Sequence, residues 1–260
     1  MGATRVVVER FDVRTADGAL LATDVYRLDD TVRRPCLLQR VPYGRTVPTI
    51  VNGALDVRRA VDAGFAVVVQ DCRGRGGSTG DFVPFDHERD DAVATFDWIC
   101  EQPWSNGAVG MFGRSYAALN QWLAAESGHP ALKAIAPVIS GDDPSEWIHP
   151  AGVLESGFVL WWSLRYLAPE LASRSDDPSS QAALAELVSE PSRLLRIRHV
   201  SDLAGVMEHV PFLARWLSEA EPQPRATRRE ANVPALVIAG WFDIFARSTL
   251  DTFKRRSSES

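Results

Sequence analysis

Cysteine is scarce in this sequence: Cys36, Cys72 and Cys100 are its only three in 260 residues. Their odd number, with no C-x-x-C pair and no neighbouring histidine, excludes a disulfide framework and predicts buried free thiols in a reducing compartment. Long apolar runs are also missing. No stretch of about eighteen apolar residues exists, which excludes a spanning helix of the usual kind. The first residues carry Arg5, Glu9 and Arg10 without an apolar segment of signal-peptide length, and Val6 stands where a myristoylation signal needs Ser or Thr. A soluble, cytoplasmic protein without membrane partners is therefore expected. Runs of one charge are absent too: 28 basic and 34 acidic side chains leave a net charge of -6. A polyanion would find little to hold, so nucleic acid is not an expected partner. The locally basic positions Arg40, Arg45, Arg73 and Arg75 are interleaved with Gly and Pro and predict loop packing. The glycine-rich stretch Arg73 to Gly80 has neither a Walker lysine nor the G-x-G-x-x-G spacing before a helix, so it predicts a tight loop and not a phosphate cradle. No group of ligands has metal-site spacing, and no metal or organic cofactor is expected.

What is present is a chain that is 45% hydrophobic, enough to bury a sizeable core. Val6 to Val13 and Leu20 to Arg27 alternate β-branched and polar residues around Asp17-Gly18, predicting an antiparallel hairpin at a sheet edge. Cys36 to Arg40 and Phe65 to Gln70 are short apolar runs typical of buried parallel strands, separated by a helical stretch over Val51 to Ala63. The alternation continues with a helix over Glu88 to Cys100, a strand at Ala108 to Phe112, a helix from Tyr116 to Ser127 and a strand at Leu132 to Val138. This pattern predicts an α/β fold with a doubly wound, mostly parallel sheet and helices on both faces. From Gly141 to Asn232 helical periodicity replaces strands, and a strand returns at Pro234 to Ala239. The predicted organisation is a core of residues 1–140 and 233–260 with a helical cap inserted at 141–232.

The strongest local signal is Val109-Gly-Met-Phe-Gly-Arg-Ser-Tyr-Ala117, an apolar strand running into Gly113-x-Ser115-x-Ala117 and directly into a helix. A nucleophile elbow needs this: the serine sits on a strained turn, and small residues two before and two after it let helix pass strand. A serine there could also simply cap the helix. A serine hydroxyl needs a base, usually a histidine oriented by a carboxylate. Asp243 in Gly240-Trp-Phe-Asp243 follows the strand ending at Ala239, at the carboxyl edge where such sites form, although an aspartate at a helix start can also be its cap. In this fold the histidine follows the acid. His87, His129, His149, His199 and His209 all precede Asp243.

Six segments in order resemble the cocaine esterase and X-prolyl dipeptidyl-peptidase family. They are Thr15 to Tyr26, Arg40-Val-Pro-Tyr-Gly44, Gln70 to Gly80, Trp98 with Trp104-Ser-Asn-Gly107, the serine elbow, and Gly240 to Asp243. The resemblance implies the α/β-hydrolase fold and a serine acyl hydrolase acting on a small-molecule ester or amide. It also implies that the Tyr43 hydroxyl and the Tyr116 backbone N–H donate to the oxyanion. Family members carry their histidine some tens of residues after the acid and then a jelly-roll domain; neither is in this sequence. The expectation is a piece of a longer protein, weak or inactive alone. The alternatives are an X-prolyl dipeptidyl-peptidase and a non-catalytic hydrolase-like binding domain. A peptidase of that kind must hold a substrate ammonium, for which Asp142, Asp143, Glu146 and Glu155 are available, although they read more simply as solvated acids. Trp147, Phe158, Trp161, Trp162 and Tyr166 could wall a substrate pocket or form the core of the insertion.

Overall fold

Strands β1 (Val6–Arg14) and β2 (Leu20–Leu28) pair antiparallel from Val6↔Leu28 to Arg14↔Leu20, and Gly18 turns the chain between them with a φ of 92°. Strand β3 (Arg34–Val41) runs parallel to β4 (Ala66–Asp71) and to β5 (Ser105–Arg114), and β6 (Leu132–Val138) runs parallel to β5. With β2 antiparallel to β4, the sheet order is β1-β2-β4-β3-β5-β6, the edge hairpin and parallel centre that the sequence pattern predicts. The computed structural model describes residues 5–174, 178–190, 192, 196–197, 199–203, 210–218 and 232–257. It divides the chain into two compact units, Met1–Asp142 with Thr227–Ser260, and Asp143–Ala226. Among the described residues no helix is long and apolar enough to cross a membrane, and no His/Cys/Asp/Glu group could hold a metal.

Every residue of β4 is buried, so consecutive valines serve opposite faces. On one face Val68 joins Leu38, Val109, Met111 and Ile135 beneath Phe96 and Ile99 of α3 (Glu88–Glu101) and Trp122 of α4 (Tyr116–Ala125). On the other, Val67 and Val69 join Val41 and Phe112 beneath Val57, Ala60 and Val61. Each fully buried Val, Leu, Ile or Phe side chain contributes roughly 1.5–3 kcal/mol.

Two expectations need correction. The helical stretch over 51–63 is two pieces, α1 (Pro48–Val51) and α2 (Val57–Asp62). Asn52-Gly53 interrupts it, and Asp56 restarts it by accepting the Arg59 N–H at 3.0 Å. Pro234 to Ala239 forms only the bridges Ile135↔Ala235 and Val138↔Ile238 to β6. The ladder bonds run Ile135 N–H to Pro234, Leu236 N–H to Ile135, Ile238 N–H to Pro137 and Ile139 N–H to Ile238. The rung between them would need an N–H at Pro137, which proline lacks. Leu236, Ile238, Trp241, Phe242 and Ile244 leave a largely exposed apolar edge there.

Helix α10 (Ala246–Ser257) is fastened to the core by Asp142. Its carboxylate accepts from Thr252 Oγ1 at 2.9 Å, Arg255 Nη2 at 2.5 Å and Arg256 Nη2 at 3.1 Å, while the Asp142 N–H donates back to Thr252 Oγ1 at 3.0 Å. The helix comes so close that a Cβ at Gly141 would lie 2.7 Å from the Ser248 carbonyl oxygen. Asp142→Ala takes the acceptor from the buried Thr252 hydroxyl proton and the carboxylate from Arg255 and Arg256, at a cost of about 1–3 kcal/mol. Amide exchange over 246–257 should accelerate; unchanged protection would contradict the fastening.

The second unit contains α5 (Ser145–Ile148), α6 (Ser156–Trp162), a π-helical turn (Ser163–Leu167), α7 (Ala168–Ser173), α8 (Pro178–Ser189) and α9 (Pro211–Ser218), with no strand among the described residues. Trp162 stacks between Phe158 and Trp216 at centroid distances of 6.2 and 6.1 Å, and Trp147 meets both Phe158 and Trp162 edge-on at 5.8 Å.

The three cysteines are free thiols, Cys36 and Cys72 buried and Cys100 half-buried. Burial pushes the Cys36 thiol up to about 11, and burial followed by the Glu88 carboxylate raises Cys72 as well. The folded protein should therefore react slowly with Ellman's reagent at pH 8 and release the Cys36 and Cys72 thiols only with denaturant. Rapid labelling of either in the native chain would contradict that packing.

Candidate active site

Strand β5 ends at Arg114 and α4 begins at Tyr116, so Ser115 alone makes the corner. Its backbone lies at φ 56° and ψ -122°, a strained conformation costing on the order of 1–3 kcal/mol. Several bonds hold it: its N–H donates to the Val138 carbonyl at 2.9 Å, and its carbonyl accepts from the Ala118 and Leu119 N–H groups at 2.8 and 3.1 Å. Gly113 has a φ of 141°, and a Cβ on it would lie 2.6 Å from the Ala117 Cβ, which is why both positions must be small. Buried Gln121, not singled out in the sequence, ties the corner to its neighbours. Its Nε2 donates to the Gly113 and Ala117 carbonyls at 3.3 and 2.9 Å, and its Oε1 accepts the Ala136 N–H at 2.8 Å. The half-buried Ser115 makes no side-chain capping bond, so its hydroxyl is not spent on the helix.

Tyr116, the residue after the serine, is clamped from behind. Its hydroxyl donates to Glu88 Oε1 at 2.7 Å and accepts the Phe85 N–H at 3.1 Å, while its ring stacks on Phe85 at 4.8 Å. Burial, then the Glu88 charge, holds the phenol well above its ordinary pKa, so it stays a neutral donor. Glu88 is in turn paired with wholly buried Arg40, whose Nη1 lies 2.9 Å from Glu88 Oε2. Arg40 also donates Nε to Gln70 Oε1 at 2.9 Å and faces Asp91 at 3.4 Å. The predicted packing role of the arginines is what the structure has. Asp71 shows the same for the glycine loop: it accepts the Arg45 and Gly77 N–H groups at 2.6 and 2.9 Å. A Cβ at Gly76 would lie 2.1 Å from that carboxylate, so the loop wraps its own anion instead of a phosphate.

The Tyr43 ring lies 6.4 Å from the Tyr116 ring, in an edge contact, on the segment that follows β3. Asp243 follows the segment bridged to β6, the neighbour of β5, so it and Ser115 lie at the same carboxyl edge of the sheet. The contact that Asp243 makes is that of a cap. Its Oδ1 accepts the Phe245 N–H at 2.6 Å as a turn cap, and Oδ2 has no hydrogen bond among the described residues.

His129 pairs with Asp97 at 3.0 Å but sits where β6 begins, the opposite edge from Ser115. His87 opens α3 without a capping bond, and His149 lies 3.0 Å from the Trp216 carbonyl in the second unit. His199 donates its N–H to Asp202 at 3.0 Å in that unit as well, while His209 lies outside the described residues.

Of the aromatic group, Trp147, Phe158 and Trp162 contribute to the core of the second unit, whereas Trp161 and Tyr166 are exposed and meet edge-on at 5.0 Å. The reading of Asp142 and Asp143 as solvated is wrong: both are buried. Asp142 fastens α10, and Asp143 accepts from the Ser145 N–H and hydroxyl at 2.9 and 2.7 Å. Glu155 caps α6 by accepting the Phe158 N–H at 3.4 Å.

An open, mostly parallel sheet flanked by helices, with a serine at a strained strand-to-helix corner, is the architecture of the α/β-hydrolase fold. The chain belongs to the X-Pro dipeptidyl-peptidase (S15) family, whose pattern matches residues 17–260. It is similar to cocaine esterase of Rhodococcus sp. (strain MB1 Bresler), 34% identical over 252 residues, which is 91% of this chain and 44% of that one. Two solved structures share the fold. An aminopeptidase from a Thaumarchaeota archaeon of marine sediment has a TM-score of 0.66 and 20% identity over 94% of this chain and 46% of its own. An alpha-amino acid ester hydrolase has a TM-score of 0.65 and 21% identity over 98% and 47%. The chain thus spans less than half the length of these proteins.

Proposed function

We propose that this chain carries the nucleophile of a serine acyl hydrolase that opens carboxylic esters through an acyl-enzyme. Ser115 Oγ attacks the ester carbonyl while a histidine takes its proton. The tetrahedral oxyanion accepts from the Tyr43 hydroxyl and the Tyr116 N–H, each donor contributing on the order of 2.7–4 kcal/mol. Collapse expels the alcohol, protonated by the histidine, and leaves the acyl group on Ser115 for water to remove. Asp243 orients the histidine. The observation that carries the reading is the Ser115 backbone, strained at φ 56° with Gly113 two residues before it and Ala117 two after, and with no side-chain hydrogen bond from its hydroxyl among the described residues. None of the five histidines follows Asp243 in the sequence, so residues 1–260 alone are expected to turn over slowly, by the residual catalysis that oxyanion donors and binding supply. The core is assigned to 1–140 and 233–260, and the cap to 141–232.

Esters are placed ahead of peptides because three of the four acids available for a substrate ammonium are engaged, Asp142 by α10, Asp143 by Ser145 and Glu155 by the Phe158 N–H. The similarity to cocaine esterase supports the same order. The family description favours the amide alternative. Consumption of p-nitrophenyl acetate and of Gly-Pro-p-nitroanilide, each corrected with Ser115→Ala, separates them. The ester should be consumed faster and in a Ser115-dependent way. Faster anilide cleavage would reverse the order, and rates untouched by Ser115→Ala would remove the hydrolase reading.

A further inference from the structure

The glycine-rich loop that follows β4 wraps Asp71, and Arg75 stands within it, buried. Its backbone is fixed on both sides: the N–H donates to the Cys72 carbonyl at 3.0 Å, and the carbonyl accepts the Ser78 N–H at 2.8 Å. Gly74 and Gly76 flank it with φ of 66° and 53°, turns that glycine makes without strain. The side chain reaches the segment after β3. Its Nε donates to the Pro42 carbonyl at 2.8 Å, and the guanidinium carbon stands 5.1 Å from the centre of the Phe82 ring, within cation–π range.

Proline has no N–H, so that carbonyl is the only backbone hydrogen-bonding group Pro42 offers. It belongs to the same planar peptide unit as the Tyr43 N–H, and pinning it sets the plane from which the Tyr43 side chain departs. The same loop holds the other side of Tyr43. Asp71 Oδ1 accepts the Arg45 N–H at 2.6 Å while its Oδ2 accepts the Gly77 N–H at 2.9 Å, so one carboxylate joins the two segments. Phe82 meets the Tyr116 ring at 6.1 Å, and the Tyr43 ring meets that same ring at 6.4 Å. The chain is thus gripped before and after one proposed oxyanion donor, by a loop that leads directly to a contact with the residue supplying the other.

We propose that Arg75 is a positioning residue: its hydrogen bond to the Pro42 carbonyl holds the Tyr43 hydroxyl where the oxyanion of the tetrahedral intermediate forms. The glycine-rich loop thereby gains a part in the reaction. The inference rests on the reading of Tyr43 as an oxyanion donor, and it adds the residue that keeps that donor in place. Arg75 touches neither the substrate nor the reacting atoms, so its effect on the reaction must pass through Tyr43.

The test is a double-substitution cycle on the 260-residue chain, with the rate of Ser115 acetylation by p-nitrophenyl acetate read from peptide-mapped mass spectrometry. Tyr43→Phe should slow acetylation about 100-fold, the loss expected for one oxyanion donor. Arg75→Met, which removes the donor to Pro42, should slow it about tenfold by letting Tyr43 drift, and Arg75→Lys should recover part of that loss. In the Tyr43→Phe background neither Arg75 substitution should slow it further. An arginine that only supported the fold would lower the rate by the same factor in both backgrounds. That result would overturn the proposal, and so would acetylation of Arg75→Met at the parent rate. Circular dichroism establishes that each variant folds. If Arg75→Met does not, Arg75→Lys carries the cycle; unfolding of both would make Arg75 a support of the whole unit and would overturn the assignment. Failure of the underlying reading is distinguishable: an unacetylated Ser115 in the parent removes the nucleophile, full-rate acetylation of Tyr43→Phe removes the donor, and the inference falls with either. Failure of the inference alone shows as independent losses at Arg75 and Tyr43 in a chain that still acetylates.

Discussion

Arg40→Ala should cost the fold about 3–5 kcal/mol, the loss expected when one partner of a buried ion pair is removed and the other is left behind. Glu88 and Asp91 are both buried, and Arg40 is the cation between them, with its Nη1 also donating to the Glu88 carbonyl at 2.7 Å. Asp91 keeps a second partner in Arg73, whose Nη2 lies 2.6 Å away, whereas among the described residues the Glu88 carboxylate keeps only the Tyr116 hydroxyl. The variant should lower the urea midpoint sharply and loosen Tyr116. Asp17→Asn, which breaks the Arg73 pair at an exposed and solvent-screened carboxylate, should move the urea midpoint far less. Equal midpoints for Arg40→Ala and the parent would show that the buried network does not hold the back of the site.

Gly113→Val should lower Ser115 acylation by at least about 100-fold, the penalty that a misplacement near 1 Å can impose. The new side chain must displace α4, since even a Cβ would lie 2.6 Å from the Ala117 Cβ, and a β-branched residue is strained at φ 141°. Ala117→Gly removes that crowding and should leave acylation within a few-fold of the parent. Circular dichroism on each variant separates a misaligned elbow from an unfolded chain. Full acylation by Gly113→Val would mean that the close approach has no bearing on the serine.

The parts of this molecule that were legible in the sequence are those whose geometry is fixed by near neighbours. Asp17-Gly18 marks the hairpin, and Gly113, Ser115 and Ala117 mark the corner, because each needs a backbone that only particular residues allow. The two prolines that thin the last ladder, Pro137 and Pro234, were also visible, but a missing rung follows only once their strands are known to be neighbours. Arg40 and Glu88 are 48 positions apart in the sequence, and no local pattern announces that they share one buried site. Asp142 misled for the same reason: its partners Thr252, Arg255 and Arg256 arrive from the far end of the chain, so a carboxylate that looked solvated is instead the anchor of α10.

The most direct test of the account is peptide-mapped mass spectrometry of the 260-residue chain after prolonged exposure to p-nitrophenyl acetate. The account predicts an acetyl group on the peptide containing Ser115, slow to form and slow to leave, lost in Ser115→Ala and distinct from incidental acetylation at Lys133 or Lys254. Acetylation confined to those lysines in a folded chain, with Ser115 unmodified, would contradict it.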